Sequence, residues 1–356
     1  MNLSIRSYGR VQLLNLAVVI CWLLTFAIGY KAFFFQDELF RVLPLDIDSE
    51  IMNLTVTSIT VLLPLAIFYF DRKKLLFILL LVFYVVFCLL DINRLTPYFF
   101  CYLGLFAVIS FYWANTVALQ KCFLIIAVGI YIVSGIHKFN GHFAENVLKY
   151  IWFYSIPFEP SVAAGRLIAG IEILLGIGLL FKKLRKVCCI GLIGLHLILL
   201  WKLGPMRLNW NLIVWPWNFA MIAVLLFVFK SKVGINELVP NISIVQGSLI
   251  VFFWILPLLS IFNLAPENLG FKLYTGNWYS PNLLIDKKLS EYSEYDLSDQ
   301  EGQTLINLQS YSMITRHLAI NPEPWIFEEI ALNFEKKYGV SAKIIPLENE
   351  EDQLKR

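Results

Sequence analysis

Residues 134–143, S-G-I-H-K-F-N-G-H-F, concentrate side chains that could do chemistry. They include two of the four histidines of the chain, His137 and His142, on either side of Lys138. An uncharged apolar run at residues 122–136 leads into this stretch, so the cluster falls where a helix would leave a lipid bilayer. Ionisable groups at such a depth are costly and are commonly functional, so we treat the stretch as a candidate site.

Lys138 is the candidate base of this cluster. Loss of water at a membrane boundary disfavours a charged amine, and a neutral amine can take a proton from an acidic substrate. The alternative is a lysine that only anchors the helix end by extending its amine to the headgroups. His137 and His142 could orient Lys138 or relay protons. They do not share a helix face, and no third ligand stands at a familiar spacing, so no metal is expected.

Glu172 and His196 lie inside two later apolar runs, where ionisable groups usually face a cavity or each other. Arg166 precedes Glu172 by six residues, which places the two about 120° apart around a helix, so they are not expected to pair. Glu172 could instead pair with His196, or with Lys138 from another helix. A polar lock that only joins helices is the alternative. The candidate catalytic residues are therefore Lys138, His137, Glu172 and His196.

Residues 203–219 combine an arginine with several tryptophans near one end of an apolar run. Aromatic rings there could stack on a quinone-like ring, and Arg207 could hold an anionic group. The alternative is an aromatic belt at the membrane surface. The candidate cofactor-binding residues are Arg207, Trp210, Trp215 and Trp217.

The composition predicts which elements position these residues. The chain is 58% hydrophobic and only 15% charged, whereas a soluble domain is about a quarter charged. These values predict an all-α integral membrane protein, since each crossing needs roughly 20 apolar residues. No basic stripe with interleaved aromatics is present, so nucleic acid is not an expected partner. The six cysteines lie in or beside apolar runs and are expected to be buried rather than disulfide-bonded.

Nine apolar runs are predicted to span the bilayer. Basic residues cluster at alternate ends of these runs, which predicts a multi-pass protein of the inner membrane with a cytoplasmic N-terminus. Residues 137–161, between the fifth and sixth runs, are rich in aromatics and predict an interfacial helix. The predicted spans are residues 11–30, 51–70, 75–90, a segment within 95–120, and then 122–136, 162–181, 187–201, 210–229 and 248–264.

The sequence divides into a membrane domain at residues 1–265 and a tail at residues 266–356, predicted to be a small α/β unit outside the membrane. Residues 325–338 predict an amphipathic helix that ends at Gly339, and residues 341–346 predict a short strand. The tail and the acidic loop at residues 31–50 could bind a protein partner outside the membrane. A non-catalytic membrane subunit or scaffold is therefore the alternative to an enzyme.

Several of these motifs together resemble a known family. Residues 134–143 resemble the A-G-hydrophobic-K-K-L stretch of the vitamin K-dependent gamma-glutamyl carboxylases, whose membrane part is the horizontally transferred transmembrane (HTTM) domain. Residues 168–181, I-A-G-I-E-I-L-L-G-I-G-L-L-F, look like the acidic helix of that family, and Gly194-Leu195-His196 looks like its histidine helix. Residues 270–279, G-F-K-L-Y-T-G-N-W-Y, are similar to a segment that follows the last span in bacterial relatives.

The resemblance implies a short bacterial HTTM protein and a role for Lys138. Its position matches the lysine that deprotonates the vitamin K hydroquinone, and His137 stands where the family has a first lysine. The assisting histidine of the carboxylases has no counterpart at residues 91–104, where Tyr98 stands instead. The resemblance therefore implies a quinone-linked oxidoreductase or carboxylase-like enzyme rather than glutamate carboxylation.

Overall fold

The computed structural model describes residues 2–346, apart from short gaps at 36–37, 45–48, 153–158, 239–241, 273, 277 and 299–300. Most of this chain is helical. The α-helices are α1 Asn2–Ile28, α2 Tyr30–Phe34, α3 Glu50–Tyr69, α4 Lys73–Leu89, α5 Pro97–Tyr112, α6 Thr116–His137, α7 Val162–Gly178, α8 Arg185–Leu203, α9 Val214–Val228, α10 Ile235–Leu238, α11 Ile244–Phe262, α12 Leu308–Thr315 and α13 Pro324–Tyr338. A π-helix at Phe143–Trp152 lies between α6 and α7, within the predicted interfacial segment.

Five of the described helices are long and apolar enough to cross a membrane, namely α3, α6, α8, α11 and the part of α1 from Gly9. The prediction of a helical membrane protein is therefore confirmed at this level. A helix also occupies each of the other four predicted spans. Of these, α5 and α9 are shorter apolar helices, and α4 and α7 have 17 residues each.

Helix α6 occupies the centre of the bundle and packs against α5, α7, α9 and α11. Asn115 begins it, since the Asn115 side chain accepts a hydrogen bond from the backbone N–H of Ala118 at 3.0 Å. Its residues from Cys122 to Gly129 are all buried. Tyr131, which follows on the same helix, is also buried, and Ser134 and His137 are partly buried.

A glycine allows α6 and α7 to approach closely. A Cβ atom on Gly135 would lie 2.5 Å from Cγ1 of Ile173 and 3.0 Å from the backbone oxygen of Ala169. Small residues at such contacts let two helix backbones come together in a membrane bundle. The approach is what brings the C-terminal end of α6 beside Glu172 on α7.

The start of α5 is held by a buried arginine and a cluster of aromatic rings. Nη2 of Arg94 donates to Oδ1 of Asn53 at 2.7 Å and to the backbone oxygen of Phe33 at 3.1 Å. Phe99 packs against Trp22 with ring centroids 5.3 Å apart. These contacts lie on both sides of Tyr98, so the first turn of α5 has a defined position in the bundle.

The tail forms a small antiparallel sheet covered by a helix. Strands β1 Asn282–Ile285, β2 Thr304–Asn307 and β3 Ala342–Ile345 are arranged in the order β2-β1-β3. Helix α13 packs its apolar face, including Ile326, Ile330 and Phe334, into the core of the tail. Gly339 ends α13 in a left-handed conformation, with φ of 65°. The predicted helix, its stop and the predicted strand are therefore confirmed.

The core of the tail includes residues from the N-terminal part of the chain. Leu39, Phe40 and Val42, from the segment after α2, are buried in the same cluster as Phe334. The side chain of Asn93 joins the two parts, because its Nδ2 donates to the backbone oxygen of Phe40 at 2.8 Å and its Oδ1 accepts from the N–H of Asn321 at 3.0 Å. This short stretch of the acidic loop is thus covered by the tail.

Candidate functional site

A cavity of about 140 Å³ lies between α5, α6, α7, α8 and α9, and the segment after α11 completes its wall. Most of its lining is apolar, including Ile130, Ile168 and Leu199. Three of the four predicted catalytic residues line it, namely Lys138, Glu172 and His196. Concave, mostly apolar sites with a few convergent polar groups are the usual form of a small-molecule site.

Lys138 and Glu172 form an ion pair across α6 and α7. Nζ of Lys138 lies 2.5 Å from Oε2 of Glu172, and the two side chains are 14% and 3% exposed. Nζ also donates to Oγ of Ser134 at 3.0 Å. Lys138 therefore turns inward beneath the end of α6 and does not simply extend toward headgroups. Of the two predicted partners for Glu172, Lys138 is the one that bonds to it.

His196 belongs to a second polar group in the same cavity. Its Nδ1 lies 2.7 Å from Oδ1 of Asn218, and its Nε2 lies 2.7 Å from the hydroxyl of Tyr131. The amide nitrogen of Asn218 donates to the backbone oxygen of Val214 at 2.7 Å, which turns the amide oxygen toward the imidazole. This network assigns the hydrogen of neutral His196 to Nδ1, so that Nε2 accepts from Tyr131.

The third part of the polar lining comes from the segment that follows α11. The hydroxyl oxygen of Tyr274 accepts from Nδ2 of Asn211 at 3.0 Å. Burial raises the pKa of Tyr274. The phenol therefore stays protonated, and its own hydrogen is available to the cavity that it lines.

Sequence reasoning missed Tyr98, Tyr131, Asn218 and Tyr274 as lining residues. One signal was available for Tyr131. It stands three residues before Ser134 and seven before Lys138, which is the spacing of one helix face. Tyr98 and Tyr274 come from distant parts of the chain, and only the packing of the bundle places them together.

His137 does not line the cavity. Its Nε2 lies 3.1 Å from the backbone oxygen of Pro257 and 3.3 Å from Oγ of Ser260, so it contacts α11 instead. His142 is half-buried and also lies outside the lining. Arg166 is exposed on α7, away from Glu172 on the buried side of the helix, which agrees with their expected separation.

Of the four predicted cofactor-binding residues, one lines the cavity and three do not. Trp217 lines the cavity. Trp210 packs against the ring of Tyr274, with centroids 5.8 Å apart, and so lies one layer behind the lining. Trp215 donates to the backbone oxygen of Leu200 at 2.7 Å, and Arg207 stacks over Trp201 at 4.9 Å. Neither Trp215 nor Arg207 reaches the cavity.

Within the described ranges, no group of three or more histidine, cysteine, aspartate or glutamate side chains is placed to hold a metal ion. No protein-family model, curated protein or solved structure matches this chain. The arguments for a function therefore come from the geometry of the cavity and from the residue patterns described above.

Proposed function

We propose that this chain is a multi-pass membrane protein of the HTTM type with a proton-accepting site for a small aromatic ring, as in a quinone-linked oxidoreductase or carboxylase-like enzyme. The observation that carries the proposal is the convergence of Lys138, Glu172 and His196 on one largely apolar cavity. Ionisable side chains from three different helices are costly to bury together, and such groups mark functional sites in membrane proteins.

The size and lining of the cavity suit a single aromatic ring. Its volume of about 140 Å³ is close to the ~150 Å³ of an engineered apolar cavity that binds benzene. Trp217 and Phe271 supply flat apolar surface, and Lys138 supplies a hydrogen-bond donor. A reduced quinone headgroup would bring an acidic O–H and the capacity for two-electron oxidation to such a site.

The residues of the chain have distinct roles in this proposal. The Lys138–Glu172 pair accepts the proton of the ligand, and both side chains of the pair line the cavity. Ser134 fixes the direction of the amine through its 3.0 Å hydrogen bond. The hydrogen-bonded Tyr131 and His196 form a second route for a proton, because the Tyr131 oxygen can accept a hydrogen bond while its own hydrogen is donated to Nε2.

The proposal includes nine spans, a cytoplasmic N-terminus and a tail outside the inner membrane. It is supported by a helix at each predicted span and by the basic residues at alternate ends of those spans. The tail contains no cysteine. A single cysteine introduced at Ser298 of a variant that lacks the native cysteines should therefore react with a membrane-impermeant thiol reagent in intact cells or spheroplasts. Labelling that requires lysis would contradict this orientation.

The chemistry is tested with Lys138→Met in purified protein. We expect loss of quinol-dependent turnover by at least about 100-fold, since a positioned base contributes roughly 10²–10⁴-fold. Lys182→Met is the matched control, because Lys182 pairs with Glu237 at 2.7 Å in an exposed position away from the cavity. Equal turnover by Lys138→Met and the wild type would remove Lys138 from the reaction.

A scaffold that binds a protein partner through the tail is the alternative function. Its decisive measurement is native mass spectrometry after mild detergent extraction. A stoichiometric protein that stays bound to Lys138→Met but is lost on deletion of residues 266–356 would favour the scaffold. A copurified quinone or other small aromatic molecule that is lost from Lys138→Met would favour the enzyme.

A further inference from the structure

Asn218 is a buried asparagine in α9, a helix whose other residues are apolar or aromatic. Its side chain is 5% exposed and lines the cavity. Asparagine is disfavoured inside a helix because its side chain competes for the backbone, and a buried polar group costs free energy unless it is hydrogen-bonded. The partners of Asn218 therefore indicate what the residue contributes.

Two hydrogen bonds give the amide of Asn218 one orientation. Its Nδ2 donates to the backbone oxygen of Val214 at 2.7 Å, and its Oδ1 lies 2.7 Å from Nδ1 of His196. An amide oxygen only accepts, so Nδ1 of His196 is the donor. Nε2 of the neutral ring must then accept from the hydroxyl of Tyr131, 2.7 Å away. Asn218 thereby fixes which nitrogen of His196 is free to take a proton.

The same amide ends the proton route at His196. An asparagine oxygen accepts a hydrogen bond but does not pass a proton on, and His196 is only 6% exposed. Lys138 and Glu172 are the charged groups whose fields reach His196, and they are paired with each other. A proton that arrives on Nε2 is therefore held on the imidazole until it returns through Tyr131.

Tyr131 connects this histidine to the ion pair. It stands seven residues before Lys138 and three before Ser134 on one face of α6, and all three residues line the cavity. Because its hydrogen is donated to Nε2, its oxygen is left as an acceptor. The cavity thus has two separate proton acceptors, the Lys138–Glu172 pair and His196.

We propose that Asn218 is a positioning residue that fixes His196 as the terminal proton acceptor of the Tyr131 route. A proton from a ligand hydroxyl passes to the oxygen of Tyr131 while the hydroxyl hydrogen of Tyr131 passes to Nε2 of His196. The ligand then carries one more negative charge, Tyr131 is again a neutral phenol, and His196 holds a hydrogen on both nitrogens. This inference rests on the proposed function and deepens it.

The first test is nitrogen-15 NMR of detergent-solubilised protein labelled at its four histidines. Each signal is assigned as the one lost when that histidine is replaced by glutamine. Neutral His196 should carry its hydrogen on Nδ1 in wild-type protein and on Nε2 in Asn218→Leu. His137 is the internal control, because its Nε2 lies 3.1 Å from the backbone oxygen of Pro257 and must be the donor. It should carry its hydrogen on Nε2 in both proteins.

The same spectra separate positioning from a polar lock that only joins α8 and α9. A lock predicts a lower melting temperature for Asn218→Leu with the hydrogen of His196 still on Nδ1, which overturns the inference. Asn218→Asp keeps an acceptor oxygen and should keep the hydrogen on Nδ1. Should Asn218→Leu fail to fold, the wild-type spectrum decides, because a neutral His196 with its hydrogen on Nε2 overturns the inference and one with it on Nδ1 supports it.

The second test adds 4-nitrophenol, a single aromatic ring whose ionised form absorbs visible light. At a pH where the probe is neutral in water, the bound probe should be ionised in wild-type protein, and His196 should gain a hydrogen on Nε2. Asn218→Leu should lose that gain. If the probe binds and His196 of the wild type stays neutral, this inference falls alone. If the probe does not bind to wild-type protein at millimolar concentration, the ring site is wrong and the proposed function falls with it.

Discussion

Two buried lysine–glutamate pairs in this protein have the same chemistry but different surroundings. Lys138 pairs with Glu172 at 2.5 Å, and Lys272 pairs with Glu267 at 2.8 Å. The residues of the first pair are 34 positions apart in sequence and connect α6 to α7, whereas those of the second pair are five positions apart. The first pair lines the cavity described above, whereas Lys272 and Glu267 are not among the residues that line it.

The local pair is part of a closed arrangement. The backbone N–H of Glu267 donates to Oε1 of Glu323 at 3.2 Å, and the backbone oxygen of Lys272 accepts from the hydroxyl of Thr275 at 2.6 Å. These contacts hold the segment that leads to Tyr274 against the tail. The comparison shows that a buried ion pair is a candidate binding site when a cavity lies beside it. The Lys272–Glu267 pair is not part of that cavity lining, and its role is to hold the backbone in place.

The largest expected effect comes from Glu172→Gln. It leaves the ammonium of Lys138 without its charge partner in the bundle, and removal of one partner of a buried pair costs about 3–5 kcal/mol. The double variant Lys138→Met/Glu172→Met should recover most of that stability but no turnover. Thermal melting in detergent measures both variants.

The same substitution at the local pair sharpens the comparison. Glu267→Gln should be destabilised less, because the side chain of Glu267 is 23% exposed against 3% for Glu172. It should keep its quinol-dependent turnover. If Glu267→Gln abolishes turnover as completely as Glu172→Gln does, the two pairs do not differ in function.

The next effect in size is expected from Gly135→Ala. The added methyl group would lie 2.5 Å from Ile173 and push α7 away from α6, at an overpacking cost of about 1–3 kcal/mol. It should also reduce turnover, because the Lys138–Glu172 pair depends on that approach. Gly170→Ala on α7 is the control, since a Cβ atom there meets no other atom within 4 Å. An equal loss of stability in both variants would show a general helix effect.

A smaller effect is expected from Asn140→Ala, which disconnects the two pairs. Nδ2 of Asn140 donates to the backbone oxygen of Thr275 at 2.9 Å and to that of His137 at 2.6 Å. The side chain thereby joins the end of α6 to the segment after Lys272. Each hydrogen bond of this kind contributes about 1 kcal/mol. Hydrogen exchange should increase in residues 270–276, and unchanged exchange there would exclude this link.

The smallest effect is a pH dependence from Glu267. Burial raises the pKa of Glu267, and the opposing charge of Lys272 only partly offsets this. Because the folded protein then holds the proton more tightly than the unfolded chain, the stability from Glu267 is fully present below the unfolded pKa of about 4.3. It is lost as the pH rises through the folded pKa. Melting curves of Glu267→Gln should lack this decline, and identical slopes in both proteins would contradict it.

Much of the fold follows from local patterns. Apolar runs predicted where helices α1, α3 to α9 and α11 lie, because a run of about 20 apolar residues has few alternatives to a membrane helix. The helix at Pro324–Tyr338 and its end at Gly339 were also predicted, since spacing and a glycine stop are local signals. The insertion of Leu39, Phe40 and Val42 into the core of the tail was not, because it joins segments almost 300 residues apart.

The sequence by itself determined the ionisable groups of the site. Lys138, Glu172 and His196 were identifiable because charged groups in apolar runs are rare and costly. Only the tertiary structure decided which of them meet. Glu172 bonds to Lys138, His196 bonds to Tyr131 and Asn218, and His137 turns away to α11. The physical reason is that the packing of α6 against α7 at Gly135 sets which side chains share a cavity. The residue pattern within one helix does not specify where a second helix packs against it.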